Sequence, residues 1–125
     1  MASGKTPAIC LLHIIGKADA IAAHIAAGGL TFESFRNSGR QRQAVEEALR
    51  IMAEAAGFLP TDLKENAPSG AWEKLKAIDS YLREEDRDFD AVVWQFTQES
   101  LPQLVDASRQ LLARLATNTP ERFRA

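Results

Sequence analysis

Two histidines, one cysteine and two runs of charge are the residues whose types could do chemistry in this sequence. His13 and His24 are eleven residues apart, which on a helix sets them on nearly the same face, about 16 Å apart along the axis. One metal ion cannot bridge that gap within a single chain, so they read as structural or interface histidines. A di-iron site in a helical bundle needs Glu-x-x-His pairs, and none occurs. Cys10 lies in the apolar run Ala8-Ile9-Cys10-Leu11-Leu12 and reads as a small core residue. Gly4-Lys5-Thr6 imitates the end of a phosphate loop, but the glycine needed five residues before Gly4 is not in the sequence. The acidic residues Glu84, Glu85, Asp86, Asp88 and Asp90 could hold Mg²⁺; the alternative is a solvated helix end capped by Asp88 or Asp90. Arg36, Arg40 and Arg42 could touch phosphate or, alternatively, form a solvated or salt-bridged face. No cofactor and no metal site is expected.

The elements that must position these residues are helices. The chain holds 21 Ala against 4 Val, and Ala is the best helix former. Its 125 residues suit one domain, with a core over about 7–116 and a flexible tail over 117–125. The net charge of -2 leaves no basic footprint for nucleic acid, which is therefore not an expected partner. A single cysteine excludes an internal disulfide framework. Lys5 with the apolar run 8–15 imitates a signal peptide, but His13 interrupts the run and Gly16-Lys17-Ala18-Asp19 makes a poor cleavage region. No run of 18 or more consecutive apolar residues occurs, so no membrane span is expected, and the reading is a soluble cytoplasmic protein.

The spacing predicts a first helix over 7–27, stopped by Gly28-Gly29, with Ile14, Ala18, Ile21 and Ile25 as its stripe. Of its 22 positions from Pro7 to Gly28, 15 are apolar, so the back of the helix is apolar as well. Such a helix must be covered on more than one side, and a second copy of the chain can supply the cover. His13, Ile14, Ile21, His24 and Ile25 are thus the expected interface residues of a homodimer, with a histidine meeting its symmetry mate or a carboxylate. Thr31 starts a short connecting helix or turn, and Ser38 with Gln41 marks the start of a second long helix over 39–56. Another short helix restarts at Leu59-Pro60-Thr61-Asp62. The third long helix covers about 71–85 with Trp72, Leu75, Ile78 and Leu82 inward. A fourth starts near Asp88 or Asp90 and reaches Ala116, with Leu101, Leu104, Ser108, Leu111 and Leu115 as its seam and a kink at Pro102.

The order of segments resembles the HepT-like family of the HEPN group of small helical proteins. The resemblance rests on Leu30-Thr31-Phe32-Glu33-Ser34-Phe35, the run Gln43 to Ala56, and Leu59-Pro60. It continues through Trp72 opening a helix, Phe89-Asp90 before Val92-Val93-Trp94, and Leu101-Pro102-Gln103-Leu104. It spans about residues 9–115 and implies a four-helix up-and-down bundle that dimerises. HepT proteins are typically ribonuclease toxins, and their antitoxin is a minimal nucleotidyltransferase (MNT) that binds and modifies them. The family's motif is an Arg-Asn pair followed one turn on by His-x-Tyr. Here Asp79 and Ser80 stand for the Arg and Asn, Glu84 for the His and Asp86 for the Tyr.

All four motif positions have departed. Metal-independent RNA cleavage needs a group that moves a proton near neutrality, and no His follows position 24. Asp79 would repel the phosphate that an Arg would steady. The expected function is a catalytically silent HepT-like protein that dimerises and binds a partner such as a nucleotidyltransferase in a toxin–antitoxin-type system. The alternatives are a divergent HEPN ribonuclease that recruits a metal through Glu84 to Asp90, and a free-standing structural or regulatory bundle.

Overall fold

The computed structural model describes residues 6–84 and 90–124, with side chains through Thr117. Thr6 opens the first helix, α1 (Pro7–Gly28), by accepting the Ile9 N–H on its hydroxyl. Gly29 closes α1 at φ 58°, a left-handed conformation that glycine adopts without a Cβ penalty. There Leu30 N–H reaches the Ile25 carbonyl at 3.0 Å. The short α2 (Phe32–Asn37) begins on a reciprocal cap between Thr31 and Ser34. Ser38 then accepts Gln41 N–H and starts α3 (Gly39–Gly57). A single turn, α4 (Thr61–Lys64), leads to α5 (Gly70–Leu82), which Ser69 caps. After it come α6 (Asp90–Gln95), a π-helical turn (Phe96–Ser100) and α7 (Leu101–Arg124).

No strand occurs among the described residues, and the fold is all-α. Helix α1 packs on α3 and α7, α3 packs on α5, and α5 packs on the π turn and α7. The expected stripes converge on one core: Ile14, Ala18 and Ile21 from α1, Val45, Leu49 and Met52 from α3, Leu75 and Ile78 from α5, Leu104 and Leu111 from α7. Cys10 is buried there as a free thiol. Trp72 sits half-buried at the edge of this core, its indole N–H donating to the Ala67 carbonyl at 3.1 Å.

Three elements differ from the sequence expectation. Helix α5 ends at Leu82, with Arg83 as its cap, so Glu84 lies beyond the helix rather than inside it. The fourth long helix is not simply kinked at Pro102. Proline lacks the N–H that would reach the Gln98 carbonyl, and its ring crowds that carbonyl. The chain widens one turn earlier, where Leu101 N–H bonds the Phe96 carbonyl five residues back. Finally, α7 runs to Arg124, past the end expected near Ala116. A missing apolar period removes packing, but it does not remove the backbone bonds of a helix.

Ser108 is the one polar residue in the seam of α7, fully buried, with a hydroxyl oxygen that has no hydrogen-bond partner. An unmade hydrogen bond in a core costs about 1–3 kcal/mol. Ser108→Ala should therefore stabilise the chain by about 1 kcal/mol, helped by the better helix propensity of Ala. A urea midpoint that falls in this variant would show that the hydroxyl has a partner.

Candidate functional site

Of the positions aligned above with the HepT-like motif, Asp79, Ser80 and Glu84 lie on the last turn of α5 and just past its end. Asp79 sits in the last turn of α5, where its Oδ2 accepts from Arg83 Nε at 3.2 Å and Nη2 at 3.0 Å. Its charge is thus opposed by a guanidinium one turn on. Ser80 is exposed on the same turn. Glu84 is exposed past the helix end, with its N–H on the Tyr81 carbonyl at 3.0 Å. Asp86, with Glu85 and Asp88, lies outside the described residues. Among the described residues, no group of three or more His, Cys, Asp or Glu could hold a metal ion.

Of the three arginines that open α3 and precede it, Arg42 makes an ion pair among the described residues. Arg42 Nη1 donates to the Arg36 carbonyl at 2.6 Å, and its Nε lies 3.6 Å from Asp90, the first residue of α6. One turn on stands Glu46, and after another turn Arg50 reaches the Leu82 carbonyl at 3.5 Å. The alternation of Arg42, Glu46 and Arg50 at four-residue spacing stitches α3 to the start of α6 and the end of α5. That spacing was visible in the sequence and is the signal that a reading confined to Arg36, Arg40 and Arg42 overlooks. Arg36 and Arg40 themselves are exposed.

Glu46 holds its proton above the ordinary value of 4.5, because burial penalises the carboxylate and Asp90 adds repulsion, outweighing the pull of Arg42 and Arg50. A raised acid binds its proton more tightly in the folded chain than in the unfolded one. Its cost is absent below 4.5, grows as pH rises, and is complete above the raised folded value. Glu46→Gln should raise the melting temperature at pH 7, with the gain shrinking toward pH 4. An equal or lower melting temperature at pH 7 would refute this sign.

The five expected interface residues on α1 divide between two faces. Ile14 and Ile21 are 0% and 2% exposed and belong to the chain's own core, so they are not available to a second copy. Ile25 is half-buried against the same core. His13 and His24 are exposed. His24 lines a groove of about 220 Å³ with Lys17 and Ala20, facing Ala44 and Ala48 of α3. On the other flank, Asp19 lies 3.8 Å from Arg109 of α7.

Between those flanks runs a second apolar stripe that the core spacing does not identify. Ile9, Leu12, Gly16, Ala20, Ala23 and Ala27 are all exposed, with Ile9 at 38% and Leu12 at 56%. Their separations of three, four and three to four residues again trace one helix face, displaced from the core stripe. A Cβ placed on Gly16 would meet nothing within 4 Å. The 22-residue α1 is long and apolar enough, by length and composition, to cross a membrane, although no run of 18 consecutive apolar residues exists. Only 28% of its most apolar window is buried inside the fold.

No family model matches the chain, and no curated protein or solved structure matches it either.

Proposed function

We propose that this chain is a HepT-like protein, its four long helices in up-and-down order, that acts by association and is silent as a ribonuclease. It pairs with a second copy through the outer stripe of α1, and the pair binds a nucleotidyltransferase partner of the MNT kind in the cytoplasm. The observation that carries the reading is the unpartnered face from Ile9 to Ala27 on a helix whose opposite face is already committed to the core. Side chains at a contact set how near two helix axes come, and Gly16, Ala20 and Ala23 leave room for a close crossing. The interface is isologous, so each copy contributes the same stripe. The nucleotidyltransferase is what the resemblance contributes, and the departed motif residues leave carboxylates where the family has its arginine and its histidine, the wrong sign to steady a phosphate.

Light scattering at micromolar concentration tests the pairing. The parent chain should have twice the 13.7 kDa mass of one copy. Leu12→Asp, on the exposed face, should return 13.7 kDa with the helical circular dichroism intact. A monomeric parent overturns the proposal, as does a variant that remains a dimer. Co-purification with a nucleotidyltransferase from the native host tests the second half independently.

A further inference from the structure

Away from α1, a cleft of about 230 Å³ opens between α5 and the segment running from α6 into the π turn. Ile78 and Phe96, both buried, form its floor, and the exposed Val92 forms part of its lip. Lys74 and Glu99 both line it. They carry opposite charges, yet they form no ion pair with each other among the described residues. The Lys74 ammonium has no hydrogen-bond partner there, and the Glu99 carboxylate is shared only with the Gln95 amide, at 3.4 Å to each oxygen. Two opposite charges that line an apolar-floored cleft without pairing with each other match a ligand that carries both charges and an apolar body.

We propose that this cleft binds a free α-amino acid with an apolar side chain. Lys74 receives its carboxylate, Glu99 receives its ammonium, and the side chain lies on Ile78 and Phe96. Drug-sized ligands occupy pockets of about 300–1,000 Å³, so the smaller volume here suits a ligand of amino-acid size. The π turn contributes by carrying both Phe96 and Glu99 in one widened turn. The site uses no residue of the α1 stripe and stands independently of the pairing.

Titrating the ¹⁵N-labelled chain with L-leucine and following its amide resonances tests the assignment. Saturable shifts should appear at Lys74, Ile78, Phe96 and Glu99, with a dissociation constant on the order of 1 mM for so few ligand atoms. N-acetyl-leucine, lacking the ammonium, and leucinamide, lacking the carboxylate, should each bind about tenfold more weakly. Lys74→Gln and Glu99→Gln, both at exposed positions, should abolish saturation while leaving the spectrum dispersed. Absence of saturable shifts with L-leucine overturns the proposal, as does binding of either derivative as tightly as L-leucine. Saturation that survives in both variants overturns it too.

Discussion

Ile21→Asp should leave the chain without a cooperative unfolding transition. Ile21 is 2% exposed and shares its core with Ala18, Val45 and Leu49. The substitution removes an apolar side chain worth about 2–5 kcal/mol when truncated and sets a carboxylate at a core position, with Lys17 and His24 lining the adjacent groove. Native domains hold only about 5–15 kcal/mol in total, so the sum takes most or all of it. Circular dichroism against urea should show a broad, shallow loss of helix. A sharp transition within about 1 kcal/mol of the parent would mean that Ile21 is not inside the fold. Ala23→Asp, two residues on but on the outer stripe, should keep the sharp transition. The pair therefore separates what belongs to the core from what belongs to the outer surface of the same helix.

The second large effect is expected at Phe35. This fully buried ring is the inward residue of the six-residue α2, and its centroid lies 5.3 Å from that of Trp94 on α6. Phe32 approaches the other part of the same indole at 6.4 Å. Too short to be stable alone, α2 depends on this aromatic contact to stay in place. Phe35→Ala should cost about 3–5 kcal/mol, and Phe35→Leu less than about 1.5 kcal/mol if the site repacks. In a Trp72→Phe background, the emission of Trp94 should shift to the red in the alanine variant before global unfolding. Unchanged emission together with an unchanged midpoint would remove Phe35 from the core.

Core positions were legible because burial leaves a periodic record. Ile14, Ala18 and Ile21, or Leu104, Ser108 and Leu111, repeat at three and four residues because one helix face meets the core. Helix starts were legible wherever a hydroxyl caps them, as at Thr31 and Ser38. The π turn was not, because proline announces that a backbone bond is missing but not how the neighbouring turn absorbs the loss. The outer stripe of α1 was only half legible. Counting apolar residues showed an excess, but composition does not say which face carries it, and Ile14 and Ile21, already in the core stripe, cannot also serve a second copy. The charged ladder of Arg42, Glu46 and Arg50 needed a tertiary fact, that the start of α6 and the end of α5 lie beside that face of α3.

The packing of α1 on both α3 and α7 also sets an order of events during synthesis. The ribosome releases the apolar α1 before α3, and well before α7. At about 5–20 residues per second, α1 waits several seconds with its α7-facing side bare. Early pairing with α3 shields only part of it, so apolar surface of α1 stays exposed on the nascent chain until α7 is made. Burial of Ala18 and Ile21 is complete only once Leu104 and Leu111 have left the exit tunnel. Full cover of α1 therefore waits on α7, and a chain truncated before α7 should leave that side of α1 bare.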